Sequence, residues 1–192
     1  MNLEDLTQIP GVEKILIFGI GNLGRQDDGL GIRLVEMLEK EFALNAAYST
    51  NSADSTNSKK STDPIQTKSN RTVFFESNYQ LNIEDALLIS EYDLVIFIDA
   101  SQESHSDSEN LSSSFRIREI RPSDEVAFST HAMSMSSVLG FCSELYGKNP
   151  KSFLITLPGF SWEISDEMSI QANKNLESSF AILSSWIKTQ YA

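Results

Sequence analysis

Residues 14–42 read KILIFGIGNLGRQDDGLGIRLVEMLEKEF, and this stretch decides the fold. Its first part, Lys14–Ile20 (KILIFGI), is a short, nearly continuous apolar run containing a glycine, the composition of a strand buried on both faces of a parallel sheet. A tight polar loop follows over residues 21–27. From Asp28 onward Gly31, Leu34, Val35, Leu38 and Phe42 recur at helical spacing, which predicts an amphipathic helix lying back on the sheet. Strand, tight turn and helix together make one βα unit.

The same alternation continues outward. Residues 71–76 (RTVFFE) and 93–100 (DLVIFIDA) read as strands with a helix around 83–91 between them. Residues 115–121 form a further strand candidate ending at Pro122, and residues 152–157 (SFLITL) a last one, ended by Pro158 and Gly159. A helix is predicted over 132–146, with Met135, Val138, Leu139, Cys142 and Leu145 on one face, and a closing helix is lined by Ile170, Leu176, Phe180, Leu183 and Ile187. Strands alternating with helices imply a three-layer αβα fold, a doubly wound, mainly parallel sheet of about five strands flanked by helices. Residues 45–70 are rich in Ser, Thr, Asn and Lys and offer almost no core residues, so they are expected to form a flexible low-complexity insertion in a single domain spanning 1–192.

A chain of 192 residues with 40% hydrophobic content can bury one substantial core. Fifteen basic against twenty-seven acidic side chains leave a net charge of −12, which repels phosphate backbones and anionic membranes, so neither nucleic acid nor membrane is an expected partner. Cys142 is the only cysteine, which excludes an internal disulfide framework and a cysteine-based zinc site. No secretory signal is apparent, and no apolar run approaches the roughly 20 residues of a membrane helix, so the expected location is the cytoplasm.

Three chemical candidates stand out. Gly19, Gly21 and Gly24 match the spacing of a dinucleotide fingerprint after a first strand, which leaves an oxidoreductase as an alternative. Against it, Asp27 and Asp28 stand where helix amides would meet a diphosphate. Asp27 and Asp28 are candidates in their own right, with helix capping as the plain alternative for either. Asp99 closes a buried strand at its carboxyl end, the edge where open α/β sheets place ligands. His131 precedes a helix on the same edge, whereas His105 lies in a polar loop. Two carboxylates and one imidazole are a partial ligand set for a first-row divalent ion, with positions left open for water or a substrate ligand. Cys142 faces the core side of its helix, and the motif G-x-S-x-G is absent, so a cysteine or serine hydrolase has little support.

The run Ile17-Phe18-Gly19-Ile20-Gly21-Asn22, followed by Arg25-Gln26-Asp27-Asp28-Gly29-Leu30-Gly31-Ile32-Arg33, resembles the opening of the hydrogenase maturation endopeptidases. Residues 94–100 and Thr130-His131-Ala132-Met133-Ser134 extend the resemblance, which covers nearly the whole chain outside residues 45–70. It implies a metal-dependent endopeptidase that removes a C-terminal extension from the large-subunit precursor of a nickel-iron hydrogenase after nickel insertion, and so activates it. It places the metal-reading and catalytic residues on Asp28, Asp99 and His131. It also implies no intrinsic cofactor: the nickel belongs to the substrate, and zinc or cadmium can substitute at the site. Where many members carry an acid-Gly-Gly-Thr run after the second strand, this chain has Glu76-Ser77-Asn78-Tyr79. A non-catalytic chaperone for an immature metalloprotein would share every one of these motifs.

Overall fold

The computed structural model describes residues 2–49, 65–66, 71–102, 114–123 and 133–191. A short helix α1 (Leu3–Thr7) is followed by β1 (Lys14–Ile20), a 3-10 turn (Gln26–Gly29) and α2 (Leu30–Ser49). Then come β2 (Ile65–Gln66), β3 (Thr72–Asn78), α3 (Asp85–Ile89), β4 (Leu94–Ser101), β5 (Arg116–Ile120), α4 (Met135–Tyr146), β6 (Lys151–Pro158) and α5 (Ile170–Tyr191).

The strands form one sheet in the order β2-β3-β1-β4-β6-β5. β3, β1, β4 and β6 run parallel, and the two edge strands β2 and β5 are antiparallel to their neighbours. Because side chains alternate across a strand, the apolar runs feed two cores. Ile15, Ile17, Ile96, Ile98, Ile155 and Leu157 pack with Leu34, Leu38, Leu176 and Leu183 on the α2/α5 face. Leu16, Phe18, Val95, Phe97 and Leu154 pack with Ala86, Ile89, Val138 and Phe141 on the α3/α4 face. Phe18 and Phe97 are fully buried and meet edge to face, with ring centroids 6.0 Å apart. These are the three predicted layers. The central strands read as continuous apolar runs because helices cover both faces.

Several boundaries differ from the sequence reading. The helix predicted from Asp28 begins at Leu30, because Asp27 and Asp28 lie in the preceding 3-10 turn. The insertion predicted over 45–70 is shorter: α2 continues to Ser49, and Ile65–Gln66 add an edge strand opposite Val73 and Thr72. Ala46 and Ala47, strong helix formers, extend the helix; the rest of the insertion lies outside the described residues. Leu145, predicted on the buried face of α4, is 54% exposed, and Ile170 is 73% exposed. Both lie near a helix end, where the helix has run past the core it covers. Helix α1 was not foreseen; it closes on itself through an Asn2/Asp5 capping box and buries Leu3 and Leu6.

One crossing fixes how the first βα unit closes. A Cβ on Gly31 would stand 2.3 Å from the carbonyl oxygens of both Ile20 and Ile98, and one on Gly19 2.6 Å from the Gly31 carbonyl. The first turn of α2 therefore lies directly on the ends of β1 and β4. Gly31→Ala gains roughly 1 kcal/mol of helix propensity but forces the helix off two backbone oxygens, an overpacking cost of roughly 1–3 kcal/mol or more. The expected outcome is net destabilisation by urea denaturation, where a solvent-facing Gly→Ala in a helix stabilises.

Candidate functional site

The close approach of α2 delivers Asp28 to the carboxyl end of β1, beside the end of β4 where Asp99 follows Ile98. Both acids line an open cleft of about 510 Å³ with Ile20, Tyr79, Arg118 and Met133. The α3/α4 face of the sheet forms the floor through Ile20, Leu154 and Ile120, and the two acids stand over the carboxyl ends of β1 and β4. This is where a doubly wound sheet leaves a crevice. Gly21, whose φ is +146° and whose Cβ would fall 1.9 Å from the Asp28 carbonyl oxygen, lets the chain turn out of β1 beneath that aspartate.

The two site acids are poorly compensated. Burial pushes the Asp99 carboxyl up to about 6, against one bond from the Ala100 amide (2.8 Å), and the negative charge of Asp28 adds to the rise. Burial also raises Asp28, against the Arg25 guanidinium and the Asn22 amide. Both shifts disfavour the charged forms, so the cleft holds two carboxylates short of positive charge.

Asp27, one residue away, is the opposite case. It is fully buried. Its Oδ2 accepts from the Phe160 and Ser161 amides (2.8 and 2.9 Å) and from the Ser169 hydroxyl (2.7 Å), and its Oδ1 accepts from the Ser169 amide (2.8 Å). Burial pushes this carboxyl up, but the four bonds outweigh it and hold it below the ordinary range. Ser169 in turn accepts from the Ala172 amide (3.1 Å) and so caps the start of α5. Asp27 therefore ties the β6–α5 loop and the α5 cap to the first loop, and does not cap its own helix.

Of the residues singled out in the sequence, Asp28 and Asp99 share the cleft, and Asp27 lies behind it. His131 and His105 lie outside the described residues. Met133, two residues beyond His131, lines the cleft, and its amide donates to the Leu81 carbonyl (3.3 Å). Among the described residues no group of three or more His, Cys, Asp or Glu converges. Cys142 is buried, with its thiol pushed up by that burial. Sequence reasoning missed Arg118, which enters the cleft because the antiparallel register sets it opposite Leu154. It also missed the anchoring of the 159–169 loop, although the Ser169-Ile-Gln-Ala172 run carries the local signal of a helix start.

The dinucleotide alternative meets a geometric mismatch. Helix amides would have to open at the third glycine to receive a diphosphate. Instead, the Gly24 amide is taken by the Asn22 side chain (2.9 Å), and α2 opens only after the turn that carries both acids.

No protein-family profile matches the chain, and no curated protein sequence matches it. Solved structures do. A [NiFe] hydrogenase maturation protease, HycI from Thermococcus kodakarensis KOD1, superposes with a TM-score of 0.61 at 24% identity, over 97% of this chain and 98% of that one. The hydrogenase maturating endopeptidase HybD from E. coli gives 0.57 at 19% identity, over 92% and 93%. The hydrogenase 2 maturation peptidase from Thaumarchaeota archaeon SCGC_AB-539-E09 gives 0.50 at 16%, over 91% and 98%.

Stability against pH separates the two kinds of aspartate. Asp99 binds its proton more tightly folded than unfolded, so its contribution to stability falls as pH rises from 3.8 towards about 6. Asp99→Asn should therefore stabilise the protein at pH 7, with a ceiling of about 3 kcal/mol, and flatten that part of the pH profile. Asp27 has a depressed value, so its contribution is complete above 3.8 and is lost as pH falls through its folded value. Asp27→Asn turns an acceptor into a donor among donors and should cost about 2–4 kcal/mol at pH 7. Denaturation midpoints from pH 3 to 8 check both signs.

Asp28 and Asp99, set in one cleft of a three-layer α/β fold shared with solved hydrogenase maturation proteases and backed by the buried Asp27, define the candidate site.

Proposed function

We propose that the protein is an endopeptidase that removes the C-terminal extension of a nickel-iron hydrogenase large-subunit precursor after nickel has been inserted. The carrying observation is the pair of under-compensated carboxylates, Asp28 and Asp99, in one cleft of a fold that matches solved maturation proteases along nearly its whole length. The resemblance of the Ile17–Phe18–Gly19 opening and of the Thr130-His131-Ala132 run to that family adds His131 as the third group. Its chain neighbour Met133, at the cleft wall, is compatible with this role.

In this reading the metal is part of the substrate. Asp28, Asp99 and His131 take positions on the nickel that the precursor leaves open, and the precursor's own ligands fill the rest. Binding a cation lowers the carboxyl pKa of Asp99, so engagement of the nickel offsets the burial that disfavours its charged form. Hydrolysis then adds water across the scissile amide: hydroxyl to the carbonyl carbon, a proton to the departing nitrogen, with the C–N bond broken. The net charge of −12 suits a protein partner and not nucleic acid. No described helix is long and apolar enough to cross a membrane, and we place the reaction in the cytoplasm.

The test is the mass of a nickel-loaded large-subunit precursor before and after incubation with the protein. Loss of a C-terminal peptide is expected with nickel present, and an intact chain without nickel. Asp28→Asn and His131→Ala should each stop processing while the thermal midpoint stays within a few degrees, and His105→Ala should process normally. Processing should weaken as pH falls through about 6, where Asp99 gains its proton. Efficient cleavage of nickel-free precursor, or full activity in His131→Ala, would overturn the metal-reading mechanism. Binding without cleavage would make the protein a maturation chaperone.

A further inference from the structure

The loop between β6 and α5, residues 159–169, is held far more tightly than a surface connection needs, yet it carries large apolar side chains into water. The Gly159 amide donates to the Ser101 carbonyl (2.9 Å), and the Phe160 and Ser161 amides to Asp27. The Arg25 guanidinium takes the Trp162 carbonyl (3.1 Å), Gln26 takes the Glu163 amide (2.9 Å), and Arg33 takes the Asp166 carbonyl (2.9 Å). Ser165 exchanges backbone bonds with the first loop, its amide to the Gly24 carbonyl (3.0 Å) and its carbonyl from the Gln26 amide (2.7 Å). On this frame Phe160 is 54% exposed and Ile164 90%.

A loop that merely joined two elements would have no use for a buried carboxylate with four bonds. A loop that docks a partner does, because side chains fixed in advance lose little freedom on binding. Besides Ser101 and Arg33, its anchors are residues 24–27, immediately before Asp28, so the loop is tied directly to the site loop. Glu163, Asp166 and Glu167 stand among the exposed apolar residues and set the sign of charge that a partner must offer.

We infer that the 159–169 loop is the docking surface for the folded body of the protein substrate whose scissile segment enters the Asp28–Asp99 cleft. Phe160 and Ile164 seat in an apolar depression of that substrate, rimmed by lysine or arginine. The inference rests on the proposed function and adds how the substrate is held outside the cleft.

The test is steady-state cleavage of nickel-loaded large-subunit precursor by the double variant Phe160→Ser/Ile164→Ser. Its KM should rise about tenfold or more, with kcat changed by less than about twofold and an unaltered thermal midpoint. Leu87→Ser, equally exposed but on α3 (52%), should behave as wild type. Glu163→Lys/Glu167→Lys should raise KM at low salt and lose much of the salt dependence. If wild type cleaves the precursor and the double variant keeps its KM, the docking surface is overturned and the function stands. If wild type sediments as a dimer that the double variant dissolves, the occupant is a second copy, and the inference is likewise overturned. If wild type leaves the loaded precursor intact, the proposed function itself fails, and the loop's assigned occupant fails with it.

Discussion

The site depends on one contact without side chains: the first turn of α2 resting on the carbonyl oxygens of Ile20 and Ile98 at Gly31. β1 and β4 are neighbouring parallel strands, so a helix seated on both carbonyls stands over the carboxyl edge of the sheet. The residues entering that helix are Asp27 and Asp28, and the residue after Ile98 is Asp99. Bringing the helix this close is therefore what puts a carboxylate from the turn after β1 and one from β4 into one cleft. Any Cβ at position 31 would lift the helix, and the acids' desolvation and mutual repulsion would relax with it. Burial is the main cause of the raised Asp99 value, and the charge of Asp28 adds to it.

Adjacent aspartates do opposite work because the turn points them in opposite directions. Asp27 turns into the protein, where amides and a hydroxyl converge on it and make its charge an asset to folding. Asp28 turns to the cleft, where burial outweighs the Arg25 guanidinium and the Asn22 amide. Arg25 cannot give itself wholly to Asp28, since its guanidinium also holds the Trp162 carbonyl. The first loop therefore binds the 159–169 loop with one acid and leaves the other under-compensated, two tasks that a single carboxylate cannot combine.

Much of the architecture was legible because parallel strands covered on both faces must be almost wholly apolar: Lys14–Ile20 and the LVIFIDA run could hardly be anything else. Element ends were less legible. The Asp27–Asp28 turn reads as a helix start because acids favour helix N-termini, and only three-dimensional bonds to Ser161 and Ser169 show that Asp27 is spoken for elsewhere. Ile65 and Gln66 join the sheet through pairing with β3, a contact that no local pattern in a Ser- and Asn-rich stretch announces. Arg118 was invisible for a related reason: whether an arginine in RIREI faces the cleft depends on the register of β5 against β6, and a shift by one residue would turn it away. The spacing of Gly19, Gly21 and Gly24 was legible but ambiguous, since close backbone approach is needed both for a phosphate and for a helix laid on strand ends. The position of Asp28 is what separates the two.

Two raised carboxylates in a cleft form an unfinished electrostatic arrangement. A lysine lodged between them would lower both values and quench the site, and among the described residues none lines the cleft. Arg118 stands there but has no ion pair among the described residues. The unmet demand is for a compact cation, and under the proposed function the substrate brings one. Recognition is then conditional by construction. A precursor without nickel would present its segment to two acids whose charged forms are disfavoured by burial, whereas a loaded precursor would offer both of them a cation. A site fully compensated by its own residues would bind both precursors alike, because a uniform contribution cannot discriminate between them. Under the proposed function, the destabilisation left at Asp99 would make binding depend on the cation that the substrate carries.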